Sequence, residues 1–329
     1  MKIAFYSVHQ FERNGLLDAN NNKHELLFLE EGLTENTVKL ASGCQAICIF
    51  VADKATTIVL KELFAIGVRC IALRSAGYNH IDLMEAKKLD FKVARVPKYS
   101  PYAVAEHAIT LMLALNRQVI HAHNRIGEMN FSLDGLVGFD MHGKTVGIIG
   151  TGKIGFQVAK ILNGFGCTIL AFDTTENESL KKDFNISYVD LKAMCNRSDI
   201  ISLHLPLTAE TKHLISKKSI SWMKKGVMII NTSRGGLVNT IAIVEGIKSA
   251  QIGYFGMDVY EEEDGLFFED HSQDILQDDV IARLMTFRNV LITSHQAFLT
   301  DTALKNIAET TIHNLDCFEK GILSGNELN

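Results

Sequence analysis

A chain of 329 residues with 47% hydrophobic and 22% charged residues has room for two domains and the make-up of a folded globular protein, which excludes a largely disordered or fibrous chain. Lys and Arg number 33 against 38 Asp and Glu, a net charge of −5, so there is no overall basic field for a nucleic acid or an anionic membrane. A small metabolite is the partner class left open. The six cysteines, at 44, 48, 70, 167, 195 and 317, form no CxxC pair and mostly lie in apolar runs, as expected of buried thiols in a reducing compartment. No run approaches the roughly 18 apolar residues of a membrane span, and Ile3–Tyr6 is too short for the core of a signal peptide, so the expected location is cytoplasmic.

Short β-type runs and helix-sized segments alternate from the start. Residues 2–7, 25–29, 46–51, 70–73 and 92–96 read as buried strands, with helices over 57–66 and 81–88 between them. This is the pattern of an open parallel sheet covered by helices, and it makes the first hundred residues one α/β domain. From Pro101 to His123, apolar residues at Val104, Ala108, Leu111, Leu115 and Val119 keep helical spacing, which predicts one long helix, able to bridge two domains. A second alternating series follows, with strands over 145–149, 168–172, 200–203, 227–231, 254–259 and 290–293.

One glycine-rich turn stands in a telling context. Gly150-Thr151-Gly152-Lys153-Ile154-Gly155 follows the strand 145–149 and opens an apolar helix over 156–165. Gly150 suits the tight turn, Gly152 lets the backbone approach a pyrophosphate, and Gly155 permits close packing of helix on strand. The helix N-terminus adds free N–H donors. The next strand ends in Asp173, eighteen residues beyond Gly155, where a carboxylate can accept from both hydroxyls of an adenosine ribose. A 2′-phosphate there would meet like charge with no adjacent arginine, so the expected cofactor is NAD rather than NADP.

Three further segments fall at strand ends, where open α/β sheets place ligand sites. Strand 227–231 runs into Thr232-Ser233-Arg234-Gly235-Gly236, and the planar guanidinium of Arg234 suits a carboxylate or a polarised carbonyl. Strand 254–259 contains Asp258 and leads into Tyr260-Glu261-Glu262-Glu263-Asp264, of which Glu261, Glu262 and Asp264 read as a solvated acidic loop. Strand 290–293 precedes Ser294-His295-Gln296-Ala297-Phe298; with twelve histidines in the chain, position alone does not select His295. The histidines lack metal-site spacing with carboxylates, and no metal is expected.

Resemblance selects among them. Arg74-Ser75-Ala76-Gly77-Tyr78, Ala105-Glu106-His107, the turn 150–155, Ser202-Leu203-His204-Leu205-Pro206, Asn231-Thr232-Ser233-Arg234-Gly235, Met257-Asp258-Val259-Tyr260 and Ser294–Phe298, taken in order, resemble the D-isomer-specific 2-hydroxyacid dehydrogenases over essentially the whole chain, and within that family most closely the fermentative D-lactate dehydrogenases. The resemblance implies two Rossmann-like or flavodoxin-like α/β domains with parallel sheets separated by an active-site cleft. Residues 1–100 plus 299–329 would form a discontinuous substrate domain, and 101–298 the NAD-binding domain. It implies reversible hydride transfer from NADH to a 2-oxo acid, pyruvate first, with a larger acid such as 2-oxobutyrate or phenylpyruvate as the alternative and a non-catalytic NAD-sensing corepressor as the remote one. Arg234, Glu263 and His295 become the active-site residues: His295 donates the proton, Glu263 orients its ring and stabilises the imidazolium, and Arg234 holds and polarises the substrate. Backbone N–H groups of Ser75–Tyr78 would contact the substrate carboxylate, Tyr99 and Phe298 would cap a small side chain, and Pro206, Thr232, His204 and Asp258 would line the cofactor, Asp258 near the nicotinamide amide. The resemblance also implies a homodimer or homotetramer, with residues 103–119 in a core and at an interface between copies.

Overall fold

The computed structural model describes residues 1–328, which fall into two compact units: Met1–Ser100 with the segment from Leu299 onward, and Pro101–Phe298. The first unit contains β1 (Lys2–Phe5), α1 (Gln10–Asn20), β2 (Glu25–Phe28), β3 (Ala46–Ile49), α2 (Thr57–Ala65), β4 (Cys70–Leu73), α3 (Leu83–Lys88) and β5 (Lys92–Ala94). In the second lie α4 (Pro101–Asn116), α5 (Val119–Gly127), β6 (Thr145–Ile149), α6 (Lys153–Gly164), β7 (Thr168–Phe172), α7 (Glu178–Phe184), β8 (Ser187–Tyr188), α8 (Leu191–Arg197), β9 (Ile200–Leu203), α9 (Lys217–Ile220), β10 (Val227–Asn231), α10 (Thr240–Lys248), β11 (Ile252–Met257), α11 (Asp279–Met285) and β12 (Val290–Ile292). The chain then returns to the first unit as α12 (Asp301–Lys320).

Among the described residues each unit has one parallel sheet, ordered β2-β1-β3-β4-β5 in the first and β12-β11-β10-β9-β6-β7-β8 in the second. Strands β3, β4, β9 and β10 are buried along their whole length, as sheets covered on both faces require, and this is why they read as unbroken apolar runs. Helix starts are set by side-chain caps. Thr56, Asp82, Asn177, Asp190, Asn239, Asp278 and Thr300 each accept from an amide in the first turn that follows.

The strand expected over 254–259 lies at Ile252–Met257, which puts Asp258 just past its end, and a larger difference concerns the long helix. The helix predicted from Pro101 to His123 ends at Asn116, and a new one starts at Val119 after Gln118 takes a left-handed φ of +49°. Asn116 uses its side chain to bond the carbonyl and amide of Phe139, at 2.7 and 2.8 Å, which anchors the break. Apolar periodicity runs on through Val119 but does not register this turn. The two helices differ in burial too: Ala105, Ala108, Leu111, Met112 and Leu115 of α4 are core residues, whereas α5 buries none. All six cysteines are free and buried, and among the described residues no helix is long and apolar enough to cross a membrane.

Candidate active site

In the second sheet the strand order reverses between β6 and β9, so a crevice forms at their carboxyl ends. The turn Gly150–Gly155 sits there. Gly150 has φ +91°, and a Cβ on it would lie 2.4 Å from the His204 carbonyl oxygen; one on Gly155 would lie 1.9 Å from the carbonyl oxygen of Gly150. Neither position admits a side chain. At Gly152, by contrast, an added Cβ meets nothing within 4 Å among the described residues. The bare backbone exposes the first amides of α6, which helix geometry leaves without an intrahelical acceptor.

Asp173, just beyond β7, accepts from the amide and hydroxyl of Thr151 at 2.6 and 2.9 Å. Burial works against its charge, but these hydrogen bonds hold its carboxyl below the usual carboxylate range. Tyr188 on β8 donates to the Thr151 hydroxyl at 2.9 Å and so braces the same corner. The His204 imidazole is buried after β9 and bonded through Nε2 to Ser202; burial pushes it down to about 3, so it is neutral. Its Nδ1 and the buried hydroxyl of Thr232 after β10 have no partner among the described residues. Such groups are costly to leave unmade, and a hydroxyl-rich dinucleotide can satisfy them. Lys153 and Pro206 are exposed, while Ile154 packs into the core below the turn.

Strands β10, β11 and β12 are neighbours in the sheet, so their carboxyl ends lie side by side, about 4.8 Å apart. Arg234, half-buried, follows β10, and Asn231 shapes its turn by donating to the Arg234 carbonyl and accepting from the Ser233 amide. Gly235 then presses on the next segment. A Cβ there would stand 2.0 Å from the carbonyl carbon of Tyr260. That segment carries Glu263, whose Oε1 accepts from Nδ1 of His295 at 3.0 Å. Its Oε2 accepts from the Tyr260 amide at 3.0 Å, which fixes the carboxylate. The structure therefore pairs Glu263 with His295 directly and brings the Arg234 turn into backbone contact with the strand-end loop that bears Glu263. Phe298 lies at the end of the same unit as a half-buried residue.

Two supporting networks were not legible beforehand. Asp258 is fully buried, and its carboxylate accepts from the Thr293 hydroxyl at 2.6 Å, the Gln296 amide at 2.9 Å and the Ala297 amide at 2.8 Å. Its carbonyl accepts from the His295 amide at 2.7 Å. The carboxylate expected near the nicotinamide amide is thus turned inward onto the loop that carries His295, which itself has φ +48°. Behind it, Nε2 of His107 on α4 lies 3.0 Å from the Thr293 hydroxyl. Since Thr293 gives its one proton to Asp258, His107 is the donor of that pair. His107 stands in one of the quoted motifs, but its partner is 186 positions away.

The second network corrects the acidic loop. Glu261 is not solvated: it accepts from Nε2 of His213 at 2.8 Å and from the amide of Thr240 at 3.0 Å. Burial raises its proton affinity, and these bonds more than offset that, leaving its carboxyl below its ordinary range. A charge run read along the chain gives no sign of a partner forty-eight positions back.

The remaining predicted positions belong to the first unit. In the turn after β4, Ser75 is buried and donates to the Gly77 carbonyl at 2.7 Å, and Arg95 donates to the Ala76 carbonyl at 2.7 Å with its guanidinium 5.1 Å from the centre of the Tyr78 ring. Tyr99 is held through its carbonyl by Asn306 at 2.6 Å.

Comparison with known proteins settles the family. The family model for the NAD binding domain of D-isomer specific 2-hydroxyacid dehydrogenases matches residues 109–297. The D-lactate dehydrogenase of Escherichia coli strain K12 is 51% identical over 329 residues, covering 100% of both chains. The chain belongs to the D-isomer specific 2-hydroxyacid dehydrogenase family. Among solved structures, one reported as the pyruvate reductase of Chlamydomonas reinhardtii matches this dehydrogenase with a TM-score of 0.94 at 42% identity, covering 99% of this chain and 98% of that one. A D-lactate dehydrogenase from Lactobacillus jensenii, solved with NAD+, matches with a TM-score of 0.82 at 31% identity, covering 100% of both. As a 2-hydroxyacid dehydrogenase the chain is an NAD-dependent oxidoreductase, and the crevice around Gly150–Gly155 has an open backbone, a carboxylate at the next strand end and unpaired polar atoms, a set that fits NAD.

Proposed function

We propose that this dehydrogenase reduces pyruvate to D-lactate, with Arg234, Glu263 and His295 as the groups that act on the substrate. The hydrogen-bonded Glu263–His295 pair at the carboxyl edge of the sheet carries this reading. NADH supplies the hydride when it is bound. The chain's own task is the charge that builds on the carbonyl oxygen. An ionised carboxylate only accepts, so Glu263 fixes Nδ1 of His295 as a donor and leaves Nε2 to give its proton to that oxygen. General acids of this type contribute about 10²–10⁴ in rate. Arg234, with a fork suited to a planar carboxylate, orients the substrate and polarises its carbonyl.

Lys153, Gly152, Gly155 and the neighbouring amides are assigned to the pyrophosphate, Asp173 to the ribose, and His204, Pro206 and Thr232 to the edge of the cofactor. Support for pyruvate comes from the two relatives, one a D-lactate dehydrogenase and the other reported as a pyruvate reductase. The test is a panel of pyruvate, 2-oxobutyrate, phenylpyruvate and oxaloacetate with NADH. Pyruvate is expected to give the highest kcat/KM and D-lactate as the product. A higher value for phenylpyruvate moves the substrate to a larger acid, and no NADH oxidation with any of them leaves the corepressor reading.

We further infer self-association through residues 119–137 rather than through α4. Val119, Ile120, Ile126, Met129, Phe131, Leu133 and Val137 are all more than half exposed, up to 84% at Val137, a density of apolar surface unusual for an isolated chain. Light scattering is expected to give an oligomer that Ile120→Asp with Phe131→Asp reduces to a monomer.

A further inference from the structure

Past Glu263 the chain folds back on itself, with the amides of Leu266 and Phe267 both donating to the Glu263 carbonyl, at 3.1 and 3.0 Å. Phe267 goes inward, is buried, and packs its ring 6.4 Å from that of Tyr260. Phe268, half-buried at the edge of the same core, reaches the imidazole. Its ring centre lies 5.6 Å from that of His295 with the planes 36° apart. To reach this place the residue adopts φ +70°, a left-handed conformation that a bulky side chain rarely takes. Strain of this kind persists only where the surroundings over-determine it, and it gathers at functional sites. Two unrelated observations, a ring contact with the imidazole and a backbone outlier, therefore meet on one residue.

We propose that Phe268 is a positioning residue for proton transfer: its ring covers one face of the His295 imidazole and fixes the tilt that Glu263 alone leaves free. A single hydrogen bond at Nδ1 holds one edge of a ring but permits rotation about that bond. An aromatic wall removes this freedom, so that Nε2 points at one place. The contact also keeps water from that face. The inference rests on the assignment of His295 as proton donor, and the test separates the two.

The decisive variants are Phe268→Gly, which relaxes the left-handed backbone while deleting the ring, and Phe268→Tyr, which keeps the ring. Phe268→Gly is expected to fold with undiminished thermal stability, lower kcat for pyruvate reduction about three- to tenfold, in line with the worth of one aromatic contact, and leave the Kd for NADH within about twofold. Phe268→Tyr is expected to restore kcat. In carbon–proton NMR spectra, with the His295 signal assigned through His295→Gln, the ring proton between the two nitrogens is expected to lose its aromatic ring-current displacement in Phe268→Gly and keep it in Phe268→Tyr. Wild-type kcat and an unmoved His295 signal in Phe268→Gly would overturn the proposal, as would equal loss of kcat in both variants. If the unmodified enzyme turned over no 2-oxo acid, the assignment of the reaction would fall, while the NMR comparison would still decide whether Phe268 holds the ring.

Discussion

The two units place an arginine at the end of a strand in the same kind of sheet, and the two arginines have opposite fates. Arg74, following β4, is fully buried: it donates to both carboxylate oxygens of Glu12, at 3.0 and 3.1 Å, and to the carbonyls of Tyr6, Ser7 and Cys48. Despite burial, the Glu12 carboxylate keeps its guanidinium firmly charged. Nearby, where the strand order reverses between β1 and β3, Asp53 is itself buried and accepts from Ser7, Leu33 and Phe50. The carboxyl end of the first sheet is thus filled by its own side chains. Arg234, following β10, gives one hydrogen bond to the adjacent Ser233 carbonyl and, among the described residues, meets no carboxylate. The corresponding reversal in the second sheet is lined by glycine. Position in a fold offers a site, and what the neighbours leave unsatisfied decides whether it is used.

This contrast can be broken by exchange of roles. Arg74→Met strands the buried Glu12 carboxylate and is expected to cost about 3–5 kcal/mol of stability in denaturant unfolding. Arg234→Gln is expected to leave stability unchanged and reduce kcat/KM for pyruvate about 10²–10³-fold. Loss of stability in Arg234→Gln, or none in Arg74→Met, would reverse the assignment.

Gly235→Ala probes the backbone contact that brings the Arg234 turn to Tyr260. The added Cβ has no space at 2.0 Å from main-chain carbon, and a shift of about 1 Å in the turn is expected to lower kcat/KM about 10²-fold, with the Kd for NADH little changed. The smallest expected effect lies behind the loop. Thr293→Val removes one hydrogen bond from Asp258 and the acceptor of His107, for about 1 kcal/mol of stability and a few-fold loss of kcat. A kcat unchanged in steady-state assays would show that the loop holds His295 without this link.

Much of this was legible in the chain. Strands β4, β6, β7, β9 and β10 match the expected spans because strands buried on both faces print as plain apolar runs. The glycine turn declared itself because Gly150 and Gly155 each answer a separate steric demand, while Gly152 leaves the backbone bare. Other features left no local trace. The two-residue β8 with Tyr188 is too short for periodicity, the break at Gln118 depends on Asn116 reaching Phe139, and the pairs His213–Glu261 and His107–Thr293 form only when distant strands align. Asp258 shows how far spacing goes: it placed the residue at a strand end, but the direction of its carboxylate follows from the amides of Gln296 and Ala297.

In the proposed mechanism the Glu263 carboxylate, which only accepts, holds Nδ1 of His295 as a donor and leaves Nε2 to serve the carbonyl oxygen. An amide in its place can donate as well as accept, so Glu263→Gln no longer fixes which ring nitrogen carries the proton. The direct measurement is kcat for pyruvate reduction and for D-lactate oxidation in the wild-type enzyme and Glu263→Gln, with the Kd for NADH beside them. Both directions are predicted to lose kcat about 10²-fold or more, with the Kd for NADH within about twofold. A kcat in Glu263→Gln within about twofold of the wild-type value would contradict this role.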